Sequence, residues 1–256
     1  MEGISSLSLI VPAYRQEKTI VRDINNLNKI LDDLGIDYEI LVVIDGMLDK
    51  TFEKVSKLKS SKIKIFQYEE NQGKGFAVKL GMSKATGEIA GFIDAGMDID
   101  PAGILMLLNH MLWYDADVIV GSKIHPVSQV NYPFYRKVFS WGFRTFTKLL
   151  FGFSVRDTQV GIKFFKKSVY KDVFPRLLVK QFAFDVEILA LAYALGYKRI
   201  YEAPIKLKFR GESSITSGTL WKIVALMLWD TCAVFYRVKI IKYYRESNKK
   251  NWLTPS

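Results

Sequence analysis

The stretch Glu39-Ile40-Leu41-Val42-Val43-Ile44-Asp45-Gly46 decides the fold. From Ile40 to Ile44 every position is apolar and most are β-branched, and the run stops at Asp-Gly, a turn signal. A strand with one wet face would alternate. A strand that is apolar throughout needs cover on both faces, as parallel strands have. Residues 7–11 (LSLIV), ending at Pro12, repeat the pattern, as do residues 62–68, 88–93 and 117–120. Between the first two runs, residues 17–34 place Ile20, Ile24, Leu27, Ile30, Leu31 and Leu34 at helical spacing. Further helices are predicted near residues 75–85 and 101–113. Strand and helix in alternation give an α/β domain: a mostly parallel central sheet with helices on both faces, binding ligands beyond the C-terminal ends of its strands.

Beyond residue 123 the character changes. Residues 123–180 carry 12 Lys or Arg against two Asp and no Glu, a local positive field. Residues 132–150 read as an aromatic, basic helix, 161–165 as a strand, 182–195 as a helix, and 199–209 as one or two strands broken at Pro204. These look like additions to the same domain. The last element covers residues 220–244 (LWKIVALMLWDTCAVFYRVKIIKYY). A spanning helix wants about 20 mostly apolar residues, and Asp230 in the middle is costly there. Trp221, Trp229, Phe235, Tyr236, Tyr243 and Tyr244, with Lys239, Lys242 and Arg245, suit an amphipathic helix lying in a membrane interface. The alternative reading is a core helix packed on the domain.

Composition narrows the partners. The chain has 256 residues, 49% of them hydrophobic, enough for one domain with a full core. Its formal charge of +11 favours anionic partners: nucleic acid, phosphate-bearing small molecules or anionic lipid. No nucleic-acid recognition motif is visible, and acidic residues at the strand ends argue against nucleic acid as a partner. Cys232 is the single cysteine, so neither an intrachain disulfide nor a cysteine zinc site is available. Two histidines, His110 and His125, cannot build a multi-histidine metal centre. The opening MEGISS has no basic region or long apolar stretch, so no signal peptide is read there.

The chemistry sits at strand ends. Asp45 ends the second strand. Asp94, Asp98 and Asp100 follow the fourth, in FIDAGMDIDP (92–101). Their hard oxygens suit Mg²⁺ or Mn²⁺, which usually keep water and substrate phosphate as further ligands; a solvated acidic turn ahead of a helix is the plainer reading. NQGKG (71–75) lies between a strand and a helix. It is neither a P-loop nor a dinucleotide fingerprint, yet it can bring backbone N–H groups and Lys74 to a phosphate.

Eight blocks in order carry a resemblance. They are LIVPAYRQEKTI (9–20), EILVVIDGMLDKT (39–51), NQGKG, FIDAGMDIDP, VIVGSK (118–123), VRDTQVGIKFF (155–165), FAFDVEIL (182–189) and RGESSI (210–215). Together, over residues 7–215, they resemble family 2 glycosyltransferases, and within them the polyprenyl-phosphate (dolichyl-phosphate) mannose and glucose synthases. Three positions depart from that pattern. The family's Asn-Glu after the first Tyr is Arg15-Gln16, with Glu17 next. The first Asp of the nucleotide pair is Ile44, leaving Asp45. The second Asp of the Asp-x-Asp pair is Gly96, with Asp98 two residues on, where the lipid-phosphate enzymes carry a further ligand.

The resemblance implies a single GT-A type domain. Residues 1–218 would be catalytic, with a nucleotide-binding half (1–122) and an acceptor half (123–218), followed by a membrane-surface helix and tail (219–256). It implies metal-dependent, inverting transfer of a sugar from a UDP- or GDP-linked donor to a polyprenyl phosphate. Asp94 and Asp98 would hold Mg²⁺ or Mn²⁺. Pro12, Ala13, Tyr14, Glu17, Asp45, Gly73, Lys74 and Asp94 would bind the nucleotide. Lys123, Arg136, Arg156, Lys163 and Arg210 would hold the acceptor phosphate, with Asp157 and Gln159 orienting them or the sugar. The acceptor phosphate is already anionic, its second pKa near 6, so no strong general base is needed. A peripheral enzyme on the cytoplasmic face of a membrane is expected. A polysaccharide-building member would carry a Gln-x-x-Arg-Trp block and several spanning helices, and a nucleotide-sugar-binding relative without catalysis would share the fold.

Overall fold

The computed structural model describes residues 3–96, 98–128, 134–153, 155–181, 183–207 and 217–252; within these, the side chains of residues 134–140, 217–223 and 251 are not described. Seven strands form one sheet: β1 (Ser6–Ala13), β2 (Asp37–Asp45), β3 (Ile63–Tyr68), β4 (Ile89–Ile93), β5 (Val118–Ser122), β6 (Ile162–Lys166) and β7 (Ile200–Pro204). Their order is β3-β2-β1-β4-β6-β5-β7. β1, β2, β3 and β4 run parallel, with Leu9 paired to Ile40 on one side and to Gly91 on the other. β5 and β7 are parallel to each other, and β6 is antiparallel to both of its neighbours, β4 and β5. The sheet is therefore mostly parallel, as predicted, with one reversed strand.

Alternate residues of each strand feed two cores. Ile10, Leu41, Val43, Phe92, Val118, Val120 and Phe165 face α3 (Lys74–Lys84), α6 (Lys167–Val173) and α7 (Phe184–Ala194). Leu9, Val11, Ile40, Val42, Ile44, Ile119 and Phe164 face α1 (Ile20–Asp32), α2 (Thr51–Val55) and α4 (Gly103–Trp113). Cover on both faces is what the uninterrupted apolar runs require. The chain leaves β1 toward β2 and β3 on one side and reaches β4 on the other. That reversal opens a crevice between the C-terminal ends of β1 and β4.

Two helices lie against the first of these cores: α5 (Phe134–Phe151) and α8 (Ser217–Phe235). The predicted helix over 220–244 ends earlier, at Phe235, and continues as one π-helical turn, Tyr236–Ile240. Val234 is buried against the domain, while Leu226, Leu228 and Trp229 face outward, Trp229 being 74% exposed. No helix among the described residues is long and apolar enough to cross a membrane. Short helices α2 and α6 and the end segment α9 (Lys249–Trp252) have too few turns for periodicity to show.

Candidate active site

The turn after β2 is built around one carboxylate. Asp45, almost fully buried, accepts hydrogen bonds from Tyr68 Oη (2.8 Å), Asn71 Nδ2 (2.9 Å) and the backbone N–H groups of Gln72 (2.8 Å) and Gly73 (3.1 Å). Its oxygens shape the NQGKG turn from within. Burial and the Asp45 charge push the Tyr68 hydroxyl pKa far up, so Tyr68 stays a donor. Gly73 has φ +94, a left-handed value, and a Cβ there would meet Lys180 O at 2.6 Å. α3 then begins at Lys74, which faces the end of β4.

Lys74 Nζ lies 2.5 Å from Asp94 Oδ1. Burial works against the ammonium, but Asp94 and then Asp185 outweigh it and hold the Lys74 pKa above the ordinary lysine value. Behind Lys74 sits a second ammonium. Lys163, on β6, is 0% exposed; it reaches Asp185 Oδ1 at 2.5 Å and Val160 O at 2.7 Å. Burial lowers its pKa, with Asp185 opposing. Lys163 therefore cannot present itself to an acceptor phosphate as expected: it is a core residue whose charge is matched by Asp185. Asp185, at the start of α7, lies within the block FAFDVEIL, which gave it no role by itself; its sign in the sequence is that it and Glu187 are the two acids of an otherwise uncharged helix.

Loop 155–161 joins two carboxylates. At one end, Asp157 accepts the Lys123 backbone N–H at 2.8 Å, and Lys123 Nζ stands 3.9 Å away. Burial raises the Asp157 pKa against the pull of Lys123. Glu202 of β7, also unforeseen, accepts the N–H groups of both Arg156 and Asp157 at 2.9 Å. At the other end, Gly161 O accepts the Asp94 N–H at 2.9 Å. Gln159 points to α8, its Nε2 lying 3.7 Å from Met227 Sδ. Arg156 is exposed. Arg210 and the side chain of Arg136 lie outside the described residues.

The rest of the predicted nucleotide side is assembled at the same edge. Pro12 and Ala13 are buried at the end of β1, and Tyr14 is exposed beside Arg15. Glu17 accepts the Lys50 N–H (3.1 Å), and its own N–H donates to Asp49 (3.1 Å), which ties the loops after β1 and β2 together. Asp23, fully buried on α1, accepts the Gly96 N–H at 3.1 Å. Gly96 has φ +94, a conformation an Asp would hold only under strain, which gives the departure from Asp-x-Asp a backbone reason. Asp98 is exposed on the same turn, just before an antiparallel bridge from Ile99 to Leu207.

Among the described residues, two buried side-chain oxygens have no well-directed hydrogen bond: Asp94 Oδ1, whose near partner is the Lys74 ammonium, and Ser122 Oγ. They sit at the ends of β4 and β5, at the edge where a parallel sheet binds its ligands. A carboxylate oxygen without a hydrogen bond suits a hard divalent cation. No group of three His, Cys, Asp or Glu among the described residues converges on one point, so an ion here would lean on donor oxygens as well.

Residues 8–174 match the family model described as glycosyl transferase family 2. The chain is 32% identical over 205 residues to a dolichyl-phosphate beta-glucosyltransferase of Dictyostelium discoideum, which covers 74% of this chain and 63% of that protein. It is 30% identical over 252 residues to a UDP-N-acetylglucosamine–dolichyl-phosphate N-acetylglucosaminyltransferase of Methanococcus voltae, covering 91% of this chain and 95% of that protein. A crystal structure of glucosyl-3-phosphoglycerate synthase from Mycobacterium tuberculosis, with Mn²⁺, uridine diphosphate and glucosyl-3-phosphoglycerate, superimposes with a TM-score of 0.66 at 18% identity, over 90% of this chain and 81% of that one. The chain thus has the glycosyltransferase GT-A fold and belongs to glycosyl transferase family 2. It spans a little under two thirds of the length of the Dictyostelium relative.

Proposed function

We propose that this chain transfers a sugar from a uridine diphosphate sugar to a polyprenyl phosphate, with inversion at the anomeric carbon. The observation that carries it is the pair of carboxylates at the two ends of loop 155–161, each beside a cation: Asp94 with Lys74 and Asp157 with Lys123. That arrangement offers places for two phosphates side by side, one leaving and one attacking. The names of the Dictyostelium and Methanococcus relatives support a dolichyl-type phosphate as acceptor, and the Methanococcus name supports uridine over guanosine.

The roles follow from charge. The acceptor phosphate oxygen attacks the anomeric carbon, and the bond to the diphosphate breaks with its electron pair leaving on the diphosphate. Lys74, at the start of α3, meets the charge that grows there. Lys123 holds the attacking phosphate, and Asp157 fixes Lys123 from below. Pro12, Ala13, Tyr14 and Glu17 line the nucleoside, on a turn shaped by Asp45 and Gly73. Asp94, with Asp98 as a second ligand, would hold Mg²⁺ or Mn²⁺, whose positive charge stabilises the departing diphosphate.

The lipid sets the location. α5 and α8 present Trp141, Leu149, Leu226 and Trp229 outward, Leu149 being 84% exposed, with Lys148, Lys239 and Lys242 nearby in sequence. Exposed apolar side chains with lysines close by in the chain suit the surface of an anionic bilayer, and the site would work from there, on its cytoplasmic face. The test offers the purified chain UDP- and GDP-linked hexoses with a short polyprenyl phosphate or the unphosphorylated polyprenol. Product only with a UDP-sugar and the phosphate supports the proposal; transfer to the polyprenol or to a sugar acceptor instead overturns it.

A further inference from the structure

Lys74 occupies the place on Asp94 where a divalent cation would sit. Its ammonium is 2.5 Å from Oδ1, the buried oxygen that accepts no well-directed hydrogen bond. Two positive charges cannot share that oxygen without strong repulsion, so lysine and metal are alternatives there.

The surroundings let the side chain choose. The backbone around Lys74 is held fast, with the Gly73 N–H on Asp45 and the Gly75 N–H on Lys180 O. A Cβ on Gly75 would meet Val179 O at 2.7 Å and Phe184 Cβ at 2.8 Å, so this turn has no room to slide. Any rearrangement there falls to the side chain. Where it stands, the ammonium also lies 5.5 and 5.7 Å from the rings of Phe184 and Phe92, and the charge of Asp185 reaches it, so Asp94 is not its sole favourable neighbour. Asp185 also receives the buried Lys163 ammonium at 2.5 Å.

We propose that Lys74 is a built-in counter-ion that keeps divalent cations off Asp94 until a nucleoside diphosphate draws its ammonium away. Metal and donor then bind as one unit: the diphosphate supplies oxygens both to Lys74 and to the incoming ion. Lys74 thus couples the two sites, and the metal by itself binds weakly. This inference rests on the reading of Asp94 as a metal ligand.

The test measures Mn²⁺ affinity of the full chain by the loss of the free-ion EPR signal, without nucleotide and with uridine diphosphate, in the wild type and in Lys74→Met, Lys74→Gln and Asp94→Asn. In the absence of nucleotide both Lys74 variants bind Mn²⁺ about tenfold tighter than the wild type, inside the usual range of coupling between two ligands. Their gain in Mn²⁺ affinity on adding uridine diphosphate is correspondingly smaller. Two folded Lys74 variants that bind Mn²⁺ no tighter than the wild type, with Asp94→Asn losing it, overturn the inference and leave the metal site standing. Undiminished Mn²⁺ binding by Asp94→Asn removes the metal reading, and the inference with it.

Discussion

Asp94 and Gly161 are matched in shape: a β-carbon on Gly161 would come within 2.0 Å of Asp94 Oδ2. The two residues are also tied by the hydrogen bond from the Asp94 N–H to Gly161 O. A glycine in the acceptor block therefore makes room for a carboxylate in the donor block. Gly161→Ala is expected to evict the carboxylate while sparing the fold, because the clashing atom is the end of a half-exposed side chain. Sugar transfer should fall at least about tenfold, a loss typical of misplaced catalytic groups, while the melting temperature moves by a few degrees at most. Transfer rates alongside a melting curve check this.

The buried pair of Lys163 and Asp185 predicts a particular pattern of stability. Lys163→Met leaves Asp185 charged and buried, and should cost about 3–5 kcal/mol, as should Asp185→Leu. The double variant, with both charges gone, should be more stable than either single one. Denaturant titration of the three proteins measures it, and additive losses would contradict it.

The parallel half of the sheet, the NQGKG turn and Asp94 were legible because each announces itself locally, by continuous apolar runs, by glycines, or by an acid after a strand. The reversal of β6 was not. A strand of five residues shows its period but not its partner, and β6 finds β4 some 70 residues back. Lys163 looked like a surface cation because its partner is 22 residues away on α7. The end of the last helix was hidden likewise. Buried Glu187 holds the Tyr244 hydroxyl and Arg237, folding the chain back after Phe235, and Lys242 takes a left-handed φ of 50. Such contacts between distant residues leave no period in the sequence.

Asp45 serves four donors from inside the turn. Asp45→Asn replaces one accepting oxygen with a donor that faces other donors, leaving buried N–H groups unmet. The cost is about 1–3 kcal/mol in stability. Because Gln72 and Gly73 lose their anchor, the donor KM should rise more than kcat falls, which steady-state kinetics with varied UDP-sugar would show. A change confined to kcat would contradict the assignment of Asp45 to the nucleotide turn.

The outward face of α5 and α8 predicts lipid dependence. Leu226→Glu with Trp229→Glu should abolish co-sedimentation with vesicles containing anionic lipid. The melting temperature should hold, since both side chains point away from the core. Undiminished vesicle binding would remove this face from the account.

The central claim is that Asp94 serves the breaking of a sugar–diphosphate bond in favour of a lipid phosphate. Mass spectrometry of the lipid fraction, after incubating UDP-sugar, short polyprenyl phosphate and Mn²⁺ with wild type or Asp94→Asn, tests it most directly. The wild type should yield the glycosylated polyprenyl phosphate, and the variant about a hundredfold less. Equal product from both proteins, or none from the folded wild type with any UDP-sugar, would contradict it.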